Sequence, residues 1–136
     1  MRYGVILGIL AFLLIILTGC STVEAFLMKY DGNEYKLATD IRVKANLSQN
    51  SCNDQTLSKI NSKEIADATT ALQFYAENLP HNKPMQDAST QLNQMAQGFS
   101  KMYDSGKVSE VFCRIKFKNL EDNAAKLQMI EGGKPK

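Results

Sequence analysis

Between residues 85 and 102 apolar side chains fall at Met85, Ala88, Leu92, Met95, Phe99 and Met102, at spacings of three and four. That period lines them along one face of an α-helix and leaves mostly polar residues on the other. Pro84 stands where a first helical turn tolerates a missing N–H, and Gly106 closes the run. A helix of this kind is marginal alone in water, because its stability comes from covering its apolar face. The rest of the chain must therefore supply elements that pack against it.

Two such elements are legible. Ile65, Ala68, Leu72, Tyr75, Ala76 and Leu79 share one helical face, Asn61 and Glu64 have the spacing of a capping box, and Pro80 stops the run; an earlier start at Asp54 would bring in Leu57. A last segment from about Val108 to Ile130 uses Val108, Val111, Phe112, Ile115, Leu120, Ala124 and Leu127, with a wider face that drifts, and ends at Gly132-Gly133. The first segment is ambiguous. Leu37, Ala38, Ile41 and Ala45 recur at helical spacing, while Tyr35, Leu37, Ile41, Val43, Ala45 and Leu47 also fit the alternation of a strand.

The loops are short, and short loops favour antiparallel neighbours. The expectation is an all-α domain, a small antiparallel bundle of three to four helices. The alternative is a small α+β domain with strands near 41–47 and 111–117, where Cys113, Ile115 and Phe117 alternate with Arg114, Lys116 and Lys118.

The first nineteen residues are of a different kind. Arg2 is followed by an uncharged apolar run from Val5 to Leu17 and then by the small residues Thr18 and Gly19, the three parts of an export signal. The run closes as Leu17-Thr18-Gly19-Cys20, which resembles the lipobox of bacterial lipoproteins. The resemblance covers the signal and Cys20 only. It implies that a diacylglyceryl group joins the Cys20 thiol, that the chain is cut before Cys20, and that the new amino group is often acylated. Ser21 stands where the same family uses Asp for retention at the inner membrane, which points to the outer membrane and its periplasmic face. Two acyl chains suffice for stable attachment. The competing reading is an uncleaved transmembrane helix, but Tyr3 to Gly19 falls short of the ~20 residues a span needs, unless the run extends past Glu24.

Removing residues 1–19 leaves 117 residues, enough for one domain, divided here into a tether over 20–33 and a helical domain over 34–136. Fifteen basic residues then face 14 acidic ones, for a net charge near +1. That balance lacks the basic footprint of a nucleic-acid binder, and Arg114, Lys116 and Lys118 read as a solvated face. Once the lipobox assigns Cys20 to lipid, Cys52 and Cys113 remain. Export to an oxidising compartment makes an intramolecular disulfide between them the default.

Chemistry is sparse. His81 is the lone histidine and sits in the loop "PHNKP"; no metal-ligand spacing, nucleophile elbow or phosphate-cradling glycine loop is present. Glu64 with Asp67, and Glu121 with Asp122, offer carboxylates but no environments to separate their pKa values. No catalytic residue, metal, cofactor or small-molecule substrate is assigned. Of the methionines at 85, 95, 102 and 129, three read as core. Phe74 and Phe117 lie off their stripes and are candidate partner-binding residues.

These readings lead to the expectation of an accessory lipoprotein that binds another envelope protein. It is similar in format, without a specific motif, to helical pilotins of secretion systems. The alternatives are an exclusion or inhibitor lipoprotein of the kind carried by phages and conjugative plasmids, and a structural envelope lipoprotein.

Overall fold

A computed structural model of the chain describes residues 28–136. The export signal, Cys20 and most of the expected tether lie outside the described residues. Within them the chain forms α1 (Gly32–Ser48), a short 3-10 turn (Gln49–Ser51), α2 (Gln55–Glu77), α3 (Lys83–Ser105) and α4 (Glu110–Gly132). The bundle is all-α, and no described residue adopts a strand. Successive helices run up and down, with α1 packed chiefly on α4, α2 on α3, and the remaining neighbours α1–α2 and α3–α4 closing the ring.

The ambiguous first segment is a helix. Glu34, Ala38, Ile41, Ala45 and Ser48 face inward at alternating steps of four and three, while Tyr35, Val43 and Leu47 of the strand reading stand outside. Asp31 caps α1, its side chain accepting the Asn33 and Glu34 N–H groups at 2.9 Å. Residues 30–33, expected as the end of a tether, therefore belong to the domain. The Tyr30 N–H also donates to the Pro135 carbonyl at 2.9 Å, tying the two ends of the described chain together.

Helix α2 takes the earlier start. Asp54 caps it, accepting from the Thr56 and Leu57 N–H groups at 2.9 and 3.0 Å. Asn61, expected as the cap, is inside the helix and donates to the Ser51 hydroxyl at 2.9 Å. Helix α3 has Pro84 in its first turn and ends at Gly106, whose φ of 154° is a conformation side chains rarely adopt. Its buried stripe is Met85, Ser89, Leu92, Ala96, Phe99 and Tyr103; Met95 and Met102, expected in the core, lie at its exposed edges.

Small residues are frequent at the helix contacts: Ala38, Ala45, Ala66, Ala76, Ala96 and Ala124 are all buried. Ser48, Ser62 and Thr69 are buried among them because each hydroxyl donates back to a carbonyl of its own helix, at 2.7 to 2.9 Å. Cys52 and Cys113 form a disulfide with Cα atoms 5.7 Å apart, joining the turn after α1 to the first turns of α4. Among the described residues no helix is long and apolar enough to cross a membrane.

The disulfide also decides which face of α4 is buried. Cys113 must point inward, and Phe117, Leu120, Ala124, Leu127 and Glu131 follow it at steps of four and three. Val111 and Ile115, taken as core from the sequence, are 69 % and 52 % exposed. Phe117, taken as a surface aromatic, is instead completely buried, its ring edge-on to Phe99 at 5.0 Å. As a partner-binding residue Phe117 is therefore corrected to a core residue.

Candidate functional site

The geometry sorts the sequence candidates. Cys20 is outside the described residues. Phe74 is 60 % exposed on α2 and Phe117 is inaccessible, so the two aromatics do not form one surface. His81 is exposed in the α2–α3 connection with a φ of 55°. The sequence carboxylates are engaged on the surface: Glu64 pairs with Lys44, Asp67 with Lys63 at 3.2 Å, and Asp122 with Lys118 at 2.5 Å, while Glu121 accepts from Gln49 at 2.9 Å. Of the basic face on α4, Arg114 pairs with Glu110 at 2.8 Å and the Lys116 ammonium stands 5.0 Å above the Phe112 ring.

A concavity lies between the second half of α1 and the start of α2, beside the disulfide. It spans about 770 Å³, and Val43, Leu47 and Leu57 line it among polar residues that include the charged Asp40, Lys44 and Asp54. Those three aliphatic side chains are 51 %, 63 % and 45 % exposed, so apolar surface faces solvent here. The walls are rigid for identifiable reasons. The cap at Asp54 fixes the start of α2, the 3-10 turn fixes the corner, and the disulfide clamps Cys52 behind it to α4.

Phe74 lies 17 residues after Leu57 on the same helix, about 25 Å away along its axis, and does not extend this surface. The sequence reading missed the groove. Val43 and Leu47 are four residues apart and off the Ala38–Ile41–Ala45 stripe, which is the available signal, but their pairing with Leu57 depends on the corner between helices.

The opposite end of the bundle is where the described chain begins and ends. Met28 to Asp31 there pack near Leu79 to Asn82. Beneath them lie Glu34, Glu131, Lys134 and Asn82, all buried. The Tyr75 hydroxyl donates to the Asp31 carboxylate at 3.1 to 3.2 Å, bracing the α1 cap from α2. Burial is the largest influence on Glu34, followed by the neighbouring Glu131 carboxyl; together they push its carboxyl up from 4.5 to about 7 against the opposing pull of Asn82 and Lys134.

The described residues form a disulfide-clamped four-helix bundle with an apolar corner between α1 and α2. Comparison with protein-family models, with curated proteins and with solved structures returned no match to this chain.

Proposed function

We propose that this chain is a lipid-anchored lipoprotein, attached through Cys20 to the periplasmic face of the outer membrane, whose helical domain binds a segment of another envelope protein in the α1–α2 groove. The observation that carries the reading is the placement of that groove. The described chain begins at one end of the bundle, and Val43, Leu47 and Leu57 are exposed near the other. Helix α1, of 17 residues, separates the two by about 25 Å. A domain tethered by its N-terminal end thus holds its apolar corner away from the anchor, where a partner can reach it.

The chemistry of the corner suits one aliphatic face of an amphipathic helix. Branched side chains supply the floor, and the amides of Asn50 and Asn53 with the Asp54 carboxylate supply a polar rim for the edges of the incoming segment. Asp54 already spends acceptor capacity on its own helix, and Asp40 and Lys44, which also line the groove, are paired with Lys36 and Glu64.

The test places a photoreactive residue at Leu47 and, separately, at Phe74, in the full chain in living cells. A dominant adduct from position 47, identified by mass spectrometry, is the expected result. An adduct confined to position 74 would move the site to the surface of α2. Adducts at neither position would overturn the binding role and favour a structural envelope lipoprotein. Cys20→Ser is expected to abolish acylation and leave unprocessed precursor; normal lipid labelling of that variant would refute the anchor.

A further inference from the structure

The proposed binding role leaves unused the charges buried at the other end of the bundle. Glu34 of α1 and Glu131 of α4 are fully buried, and Lys134, just beyond α4, is 8 % exposed. Glu34 Oε1 accepts from Asn82 Nδ2 at 2.8 Å and Oε2 lies 3.1 Å from Lys134 Nζ. Glu131 Oε1 accepts the Asp31 N–H at 2.5 Å, and its Oε2 pairs with the same ammonium. Lys134 also donates to Asn82 Oδ1 at 2.6 Å.

Among the described residues, the other elements bring no second cation into contact. Helix α2 presents Tyr75, engaged with Asp31; the α2–α3 connection presents neutral Asn82 and the exposed His81; α3 begins with Lys83, exposed and paired with Asp87.

One ammonium cannot neutralise two buried carboxylates, and an unpaired negative charge out of water is costly. Both carboxylates meet the same Lys134 ammonium, each through its Oε2, so their charges lie close enough to repel one another, and a proton on one of them relieves that repulsion. We propose that Glu34 and Glu131 hold a single proton between them and with Lys134 form a proton-controlled latch, which fastens the C-terminal segment and the start of the domain to each other.

What the latch fastens is visible in the backbone. The Asp31 N–H is held by Glu131, the Tyr30 N–H by the Pro135 carbonyl, and the Lys134 N–H by the Glu131 carbonyl at 3.1 Å. Opening would free residues 28–31 and the tail after Gly132 together while leaving the disulfide end intact. The direction with pH follows from linkage. Between the ordinary carboxyl value of 4.5 and about 7, the closed latch keeps a proton that the open one loses, so opening becomes easier as pH rises through that window and levels off above it.

Amide hydrogen exchange of the full chain in detergent, read from pH 5 to 8, tests this. Protection factors at Tyr30 and Asp31 should fall about tenfold per pH unit from pH 5 to about 6.5 and flatten above about 7, while Thr56 and Leu57 at the other end stay constant. Glu34→Gln, which mimics the protonated form, should remove the slope. A wild-type profile flat with pH, a parallel fall at both ends, or a slope that survives in Glu34→Gln would overturn the latch. If that variant fails to fold, carbon NMR titration of the wild-type carboxyls decides: one midpoint near 7 supports the shared proton, and ordinary titration of both refutes it.

Discussion

Replacing each of the two aromatics by alanine separates a core ring from a surface one by energy. Phe117 has no exposed surface and meets Phe99 edge to face at 5.0 Å with the ring planes 84° apart. Truncating a buried phenylalanine removes its transfer free energy and leaves a cavity, a loss of about 3–5 kcal/mol. The aromatic pair itself is worth about 0.5–1.5 kcal/mol beyond its buried area, which keeps Phe117→Ala off the bottom of that range, at about 4 kcal/mol. Phe74 is 60 % exposed, so Phe74→Ala should change stability by no more than about 0.5 kcal/mol. Urea unfolding of the oxidised protein, followed by far-ultraviolet circular dichroism, measures both. With a urea slope of about 1–3 kcal/mol per molar, the Phe117 variant's midpoint should fall by about 1.3–4 M and the Phe74 variant's should barely move. Domains of this size have about 5–15 kcal/mol in total, so Phe117→Ala should remain folded only if the parent lies well inside that range. A loss below about 1 kcal/mol at Phe117 would refute the assignment of the inner face of α4, and one above about 2 kcal/mol at Phe74 would refute the placement of that ring on the outer face of α2.

Reducing the Cys52–Cys113 disulfide, which closes 61 residues of chain, should destabilise the fold by about 4 kcal/mol on the chain-entropy account; an unchanged urea midpoint with reductant would refute that contribution. Asp54→Ala leaves the Thr56 and Leu57 N–H groups without their cap and should cost about 1 kcal/mol, with the extra hydrogen exchange confined to the first turn of α2. A loss spread evenly over α2 would show that Asp54 acts on something other than the helix end.

The helices were legible where one apolar stripe dominates. In α3 the pattern from Met85 to Phe99 left no competing reading, and Pro84 and Gly106 marked both ends. In α1 the strand alternation joined the outward Tyr35, Val43 and Leu47 to the inward Ile41 and Ala45, and the exposed members are what made the pattern look two-sided. In α4 two apolar sets overlap, Val111 and Ile115 on one side and Cys113 and Phe117 on the other, and hydrophobicity does not choose between them. The cysteine does. A disulfide to Cys52 requires Cys113 to face the bundle, and stepping from it by four, three and four reaches Phe117, Leu120 and Ala124. The pairing and the helix were both legible, and combining them would have placed Phe117 inside.

The two ends of the bundle resist sequence reading for different physical reasons. The apolar corner is assembled by a turn: Val43 and Leu47 belong to one helix and Leu57 to the next, and helical periodicity carries no information across Gln49 to Asp54. The charged end is hidden by distance along the chain. Glu34 and Lys134 are 100 residues apart, and each in isolation looks like the solvated charge expected near a helix terminus. Their burial follows from the antiparallel return of α4 to the start of α1, which makes the C-terminal tail the lid over the α1 cap. A charge in that position does little to hold the fold compared with an apolar residue of the same volume, because desolvation offsets most of the pairing. What it adds is dependence on a proton. The same bundle therefore joins an end clamped covalently by Cys52 and Cys113, next to the exposed corner, to an end held by a titratable contact, where the chain begins; loosening the second leaves the first in place.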